Sequence, residues 1–193
     1  RQPEDVSYMF YSTGTTGDPT AIVHTPRSCR NRILAGIEST LIRPETVCLG
    51  LLPFFHGGGL DTVLRTSIAV GASLLVTTSR DPERLLDAIE THDVTDVRSV
   101  PTLTRRFLDV PDLEERDLSS VTAWRNGGTV LTESLAREFA EKLTPNVYNA
   151  YGTSESGTNA VLRPDDLPEH AGTVGKPLVD TEVRIVELDA SRQ

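Results

Sequence analysis

Short apolar segments alternate with helical patterns along the middle of the chain. Five segments are rich in β-branched or aromatic residues, are bounded by Gly, Pro or polar residues, and predict mostly buried strands: Val47–Leu52, Ser73–Thr78, Val97–Val100, Val121–Arg125 and Asn146–Ala150. Two further strands are predicted near the start, Val6–Tyr11 and Ala21–His24, joined by a polar loop. Near the end, Glu182–Val186 alternates like an edge strand.

Helices are predicted between these strands from their start signals and apolar faces. The clearest one has Asp81 as N-cap and Pro82 at its first position. Another follows Thr132, where apolar residues recur at intervals of four, and a third covers about Ser28–Leu41. The alternation of strand and helix favours an α/β fold with a largely parallel sheet flanked by helices, because parallel neighbours need crossovers.

Ligands of such sheets collect beyond the carboxyl ends of the strands. This rule points to the loops that follow Leu52, Arg125 and Ala150. All three loops have an unusual composition, so the sequence predicts a site at this edge.

Composition and charge narrow the classes of partner. The 193 residues are 37% hydrophobic, which is enough for a folded core. Their formal charge of −9 argues against a nucleic-acid or anionic-membrane surface as the main partner. The basic stretch Arg27, Arg30 and Arg32 is read as a solvated helix face, with an anionic ligand as the less favoured alternative. Apolar runs stay well short of the roughly 20 residues of a membrane span, and Cys29 and Cys48 lack metal or disulfide spacing, so a cytoplasmic protein with reduced thiols is expected.

The loop between the first two predicted strands suits a chain of phosphates. It reads Ser12-Thr13-Gly14-Thr15-Thr16-Gly17-Asp18-Pro19-Thr20. Glycines allow backbone N–H groups to converge on an anion, and hydroxyls donate further hydrogen bonds. The Walker pattern does not fit, because Gly14 and Gly17 are too close together and no Lys follows.

Together with two later segments, this loop resembles the motifs of the adenylate-forming superfamily, which includes acyl-CoA and aryl-CoA synthetases, luciferases and peptide-synthetase adenylation domains. Tyr11 and Ser12 through Pro19 are similar to the family's phosphate loop, and Leu52–Leu60 is similar to its P-x-F-H-x-x-G-[LM] segment. Asn149–Glu155 is similar to its Y-G-x-[ST]-E motif. The resemblance implies a flavodoxin-like subdomain with a short hairpin that bears the phosphate loop.

The resemblance also implies roles for individual residues. Ser12, Thr13, Gly14, Thr15, Thr16 and Gly17 would hold phosphates, and Ser154 would bond a phosphate oxygen. Glu155 would hold Mg²⁺, Asn149 and Tyr151 would contact adenine, and Ala150 and Gly152 would also belong to the nucleotide-binding site. Gly127 and Gly128 resemble the family's Gly-Gly-Ala segment, which lines the nucleotide and acyl sites, and His56 would form a wall of the acyl or carboxylate site. His24, His92 and His170 are read as ordinary hydrogen-bonded histidines.

These roles imply ATP or AMP, Mg²⁺ and coenzyme A, or a carrier phosphopantetheine, as cofactors, and a carboxylic acid or its acyl-adenylate as substrate. Members of the family are much longer, so residues 1–193 are expected to be a central fragment that lacks the N- and C-terminal parts of its parent. Its predicted parts are the phosphate loop 12–20, an α/β core at about 26–151 and a C-terminal loop and strand at 152–193. Homodimerisation is left open.

The sequence departs from the family at the end of the phosphate loop, where Pro19-Thr20-Ala21 stands in place of Pro-Lys-Gly. Loss of a lysine removes one cation from a site for several phosphate charges, so we expect impaired adenylation in the parent enzyme and no turnover by the fragment alone.

Three alternatives remain open. A peptide-synthetase adenylation domain would use an Asp near the His motif to hold an amine, and Asp61 follows Leu60. A non-catalytic nucleotide- or adenylate-binding module is favoured slightly by Thr20. An aminoacyl-type or hydrolytic enzyme on another fold is least favoured. For a hydrolase, Ser156 replaces the second Gly of G-x-S-x-G and no histidine follows His170.

Overall fold

The computed structural model describes residues 2–12 and 18–187. An antiparallel hairpin comes first, formed by β1 (Tyr8–Ser12) and β2 (Thr20–His24), with Ser12 opposite Thr20. The predicted hairpin is confirmed. Thr13–Gly17, which carry most of the predicted phosphate loop, lie outside the described residues, as does the side chain of Ser12.

A second sheet of seven strands forms the body of the fold. Its members are β3 (Val47–Gly50), β4 (Ser73–Val76), β5 (Asp96–Ser99), β6 (Ala123–Gly127), β7 (Val147–Thr153), β8 (Gly157–Leu162) and β9 (Lys176–Pro177). They lie in the order β4-β3-β5-β6-β7-β8-β9. The first five strands of that order are parallel, and β8 and β9 are antiparallel additions. The five parallel strands therefore have the flavodoxin-like order, which confirms the predicted fold class.

Helices cover both faces of this sheet. They are α1 (Pro26–Thr40), α2 (Gly57–Gly59), α3 (Thr66–Val70), α4 (Pro82–Thr91), α5 (Pro101–Phe107), α6 (Glu133–Lys142) and α7 (Leu167–His170). A π-helical segment, Leu60–Arg65, joins α2 to α3, and single 3₁₀ turns cover Leu113–Glu115 and Pro164–Asp166.

The predicted start signals act as expected. The Asp81 carboxylate accepts a hydrogen bond from the Glu83 N–H, and the Thr132 hydroxyl accepts one from the Leu135 N–H. Helix α1 begins two residues earlier than predicted because Thr25 and Ser28 form a reciprocal capping box.

One face of the sheet carries an apolar row. Leu49, Val97, Trp124 and Val147 stand side by side in register on four neighbouring strands. They pack against the buried faces of α4, α5 and α6, where Phe139 is fully buried. Burial of this row, within a larger apolar cluster, contributes to stability, since the free energy gained scales with the apolar area removed from water.

Several parts of the chain differ from the predictions. Strand β8 was not predicted, although its sequence Gly-Thr-Asn-Ala-Val-Leu ends in a buried apolar run. The predicted edge strand Glu182–Val186 is wrong: these residues form no strand, and Ile185 is fully exposed. Alternation alone does not make a strand, because a strand also needs a partner for its backbone groups.

Substitution of Phe139 tests the apolar face. We expect Phe139→Ala to lower the free energy of unfolding by about 3–5 kcal/mol, because the ring leaves a cavity in a fully buried position. The matched control is Phe55→Ala, which makes the same chemical change at a side chain that is 84% exposed and should cost under about 0.5 kcal/mol. Urea unfolding measures both values, and equal losses would contradict the assigned core.

Candidate functional site

A cavity of about 370 Å³ opens at the carboxyl ends of β3, β5, β6 and β7. This is the edge that the sequence predicted, because the four strands end together there. Many predicted site residues line it: His56, Gly127, Gly128, Ala150, Tyr151, Gly152 and Ser154. Three arginines, Arg32, Arg98 and Arg125, line it as well.

A second cavity, of about 350 Å³, adjoins the first. It is lined by Asn149 and Val174, among others, and shares Gly128 and residues 150–152 with the first cavity. The side-chain amide of Asn149 is buried and donates a hydrogen bond to the Thr173 carbonyl at 2.8 Å. The two cavities therefore lie on either side of one shared wall. A ligand that occupies both cavities would lie across Gly128 and residues 150–152, which line both.

Glycines keep the wall thin. Gly128 has φ +81°, in the left-handed region where side chains are strained. A Cβ on Gly152 would overlap the carbonyl oxygen of Gly157 in the neighbouring strand, and β7 and β8 shift register between Tyr151 and Gly152. At these two glycines the wall presents backbone without a side chain, which suits close approach of a ligand.

The turn between β7 and β8 carries the predicted phosphate and metal residues. The Thr153 hydroxyl accepts a hydrogen bond from the Ser156 N–H at 3.2 Å and orders the turn. Ser154 is half-buried at the mouth of the first cavity, and Glu155 is exposed beside it. Hydrogen bonds from its own backbone N–H and from the Thr153 hydroxyl lower the pKa of Glu155, so it is a carboxylate at neutral pH.

His56 stands at the end of the loop after β3. It is exposed, caps α2, and accepts the Gly58 N–H on Nδ1 at 3.1 Å. This contact fixes the ring at the mouth of the first cavity.

A buried carboxylate ties the hairpin and two helical segments to this turn. Asp61 is fully buried and accepts hydrogen bonds from Arg32 Nε at 2.6 Å, Arg65 Nη1 at 2.9 Å and the Tyr8 hydroxyl at 2.9 Å. Arg32 also donates to the Ser154 carbonyl at 3.1 Å. The interpretation of Arg32 as part of a solvated face is therefore wrong, since only 5% of it is exposed.

His24 lies beside this cluster. Its ring stacks on Tyr8 with centroids 4.8 Å apart, and it is buried next to the Ser154 backbone. Burial and the Arg32 charge lower the pKa of His24, so the ring is neutral at pH 7. Nε2 has no partner of good hydrogen-bond geometry among the described residues, although the Ser154 backbone lies beside the ring, so the expectation of an ordinary hydrogen-bonded histidine stays a prediction.

Arg98 and Arg125 are site residues that the sequence reasoning missed. They stand next to each other in register on β5 and β6. Arg98 is neutralised by Asp96, with Nε 2.7 Å from the carboxylate. The Asp-x-Arg spacing within a strand, which puts both side chains on one face, was an available signal for that pair.

Magnesium fits this site only as an ion held mainly by phosphates. Among residues 2–12 and 18–187, no three His, Cys, Asp or Glu side chains lie close enough to hold a metal. Mg²⁺ bound with a nucleotide needs only one or two carboxylates, and the exposed, ionised Glu155 would supply one. None of the described helices is both long and apolar enough to cross a membrane.

Comparison with known proteins gives a family match over the whole chain. A family model described as "AMP-binding enzyme" matches residues 1–193. A methyl-dioxo-octahydroindenyl-propanoyl:CoA ligase of Mycobacterium tuberculosis is 30% identical over 188 residues, which are 96% of this chain and 37% of that protein. A 4-coumarate–CoA ligase of Humulus lupulus is 28% identical over 196 residues, and this alignment covers 97% of this chain and 36% of that protein.

A solved structure of an o-succinylbenzoate CoA synthetase from Bacillus subtilis, bound to a product analogue, has a TM-score of 0.84 and 27% identity. The alignment covers 98% of this chain and 38% of that one. The chain thus spans little more than a third of the length of these relatives.

Removal of the Asp61 charge tests the buried cluster. We expect Asp61→Asn to lower the free energy of unfolding by about 3–5 kcal/mol, because it leaves Arg32 buried without a carboxylate. Asp87→Asn is the control: its carboxylate also pairs with an arginine, Arg116, but it is 64% exposed and should contribute at most about 1 kcal/mol. Chemical unfolding measures both variants. A loss at Asp61 no larger than at Asp87 would contradict the cluster.

Proposed function

This chain belongs to the AMP-binding enzyme family, and we propose that it forms the nucleotide- and acid-binding part of an acid–thiol ligase of the acyl-CoA synthetase type. The parent would be longer than residues 1–193, which would form its central subdomain and would not turn over alone. It would use ATP, Mg²⁺ and coenzyme A or a carrier phosphopantetheine, and it would act in the cytoplasm on a small carboxylic acid. Its oligomeric state, including a homodimer, stays open.

One observation carries this proposal: two cavities of similar size share a backbone wall at the carboxyl edge of the sheet. An acyl-adenylate has two unlike halves joined at a phosphate, and such a ligand suits two adjoining cavities. The second cavity, with Asn149, Ala150 and Tyr151, would take the adenine. The first, with His56 at its mouth, would take the acyl group.

The chemistry follows from that placement. A carboxylate oxygen of the acid attacks the α-phosphorus of ATP, the bond to the β-phosphate oxygen breaks, and pyrophosphate leaves with the electron pair. A thiolate then attacks the acyl carbon, and AMP leaves as the acyl–oxygen bond breaks. Positioning and electrostatic stabilisation of the phosphates supply most of such catalysis.

The chain's own groups serve this step at the rim. Ser154 would bond a phosphate oxygen, Glu155 would hold Mg²⁺, and Ser12–Gly17 would enclose the phosphates. Bound Mg²⁺ would neutralise phosphate charge. Arg32 holds the turn in place through the Ser154 carbonyl.

Two alternatives receive less support. An amine-binding Asp61, as an amino-acid-activating domain would need, conflicts with the three hydrogen bonds that this carboxylate accepts from Arg32, Arg65 and Tyr8. A non-catalytic adenylate-binding module would keep the cavities and lose the chemistry, and Thr20 is the feature that favours it.

Thr20 generates the first test. It is exposed at the start of β2, where the family has a lysine, and we expect the parent enzyme to use preformed acyl-adenylates faster than ATP plus acid. Thr20→Lys restores a cation near the phosphates and should raise the ATP-driven rate about tenfold. Thr91→Lys, at the exposed end of α4, is the control and should change nothing.

The assay compares pyrophosphate exchange and thioester formation in the complete enzyme with a panel of carboxylic acids. Rapid exchange by the unchanged enzyme, or no gain from Thr20→Lys, would refute impaired adenylation. If neither ATP nor adenylates yield thioester, the ligase proposal itself fails.

Glu155 generates the second test. We expect Glu155→Gln to raise the Mg²⁺ concentration for half-maximal activity about tenfold, because an amide is a weaker ligand than a carboxylate. Glu133→Gln, at an exposed glutamate on α6 paired with Arg137, is the control. An unchanged magnesium dependence in Glu155→Gln would remove Glu155 from the metal site.

A further inference from the structure

The first cavity has a surplus of buried positive charge. Three arginines line it, Arg32, Arg98 and Arg125, each at most 7% exposed. Asp61 and Asp96 neutralise Arg32 and Arg98. Arg125 pairs with no carboxylate among the described residues, so one cation remains unmatched within a chain whose total charge is −9.

Arg125 is also short of hydrogen bonds. Its Nη2 donates to the Thr158 hydroxyl at 2.8 Å, but Nε is buried and has no partner among the described residues. Burial, together with the neighbouring Arg98 charge, lowers the pKa of Arg125 to about 9, which still leaves it charged at pH 7. A buried, charged donor without a partner is costly, and its retention is explained if a ligand anion completes the pair.

The position of Arg125 separates it from the reacting end of the substrate. His56, Ser154 and Tyr151 lie at the open rim, where Tyr151 is 48% exposed. Arg125 lies deeper, within β6 between β5 and β7, and is held by Thr158 of β8. An acid whose reacting carboxylate is at the rim would bring its far end to this floor.

We propose that the acid substrate is a dicarboxylic acid and that the guanidinium of Arg125 binds its second carboxylate at the floor of the cavity. This inference rests on the proposed ligase function and names its substrate class. A guanidinium presents parallel N–H donors to a carboxylate, which gives both affinity and orientation. Thr158 is a positioning residue, because it acts only through Arg125.

The test compares short straight-chain dicarboxylic acids with monocarboxylic acids of the same length in the complete enzyme, supplied with ATP and, in parallel, as preformed adenylates. We expect kcat/KM to favour the best dicarboxylic acid about 100-fold over its matched monocarboxylic acid. Arg125→Gln should abolish that ratio, Arg125→Lys should retain part of it, and Thr158→Val should reduce it about tenfold. Arg105→Gln, an exposed arginine on α5 paired with Glu138, is the control for loss of one positive charge.

A calorimetric titration of the enzyme with the same acids, without ATP, gives a readout that does not need turnover. Saturable binding of dicarboxylic acids that Arg125→Gln removes supports the proposal even if the ligase reaction fails. Preference for monocarboxylic acids, or an equal loss for both acids in Arg125→Gln, overturns it. Thermal unfolding shows whether each variant is folded. If Arg125→Gln does not fold, the effect of Thr158→Val on the preference for dicarboxylic acids decides the test.

Discussion

Neutralisation of buried arginines by two buried aspartates is the constraint on which the site depends. One face of the sheet is apolar and packs on α4, α5 and α6. The other carries Arg125 beside Arg98, and Arg98 bonds to α1 and to the π-helical segment. An isolated buried charge is costly there, and Arg125 alone of the three cavity arginines has no carboxylate partner among the described residues. Asp96 neutralises Arg98 within β5, and Asp61 joins Arg32 of α1 to Tyr8 of the hairpin.

The Asp61 contacts connect the fold to the chemistry. The hairpin that bears the proposed phosphate loop is held by Tyr8, and the turn that carries Ser154 and Glu155 is held by Arg32. One carboxylate therefore sets the position of both segments that are proposed to hold phosphates. The parallel strands then supply an edge at which a thin backbone wall, Gly128 and residues 150–152, separates two cavities.

The sequence predicted the elements whose signals are local, and missed those that depend on distant partners. The strands β3 to β7 and the caps Asp81 and Thr132 were found because apolar runs and capping residues act over a few residues. The edge strand at Glu182–Val186 failed, and β8 was overlooked, because pairing is decided by the neighbouring strand. The motif residues at the carboxyl edge were predicted by resemblance, but the roles of Arg32, Arg98 and Arg125 were not. The spacing of Asp96 and Arg98 was a local signal that went unused, whereas the partners of Arg32 and Arg125 lie on segments distant in sequence.

The account depends most on the claim that the two cavities form one site for an acyl-adenylate. Amide hydrogen exchange in the presence of a hydrolysis-resistant acyl-adenylate analogue tests it directly. With the analogue, the account predicts saturable protection of the backbone amides at residues 126–129 and 149–155, which line the two cavities. With AMP alone, it predicts protection only of amides that line the second cavity, which contains Asn149. Absence of protection there, or protection confined to another surface, would contradict it.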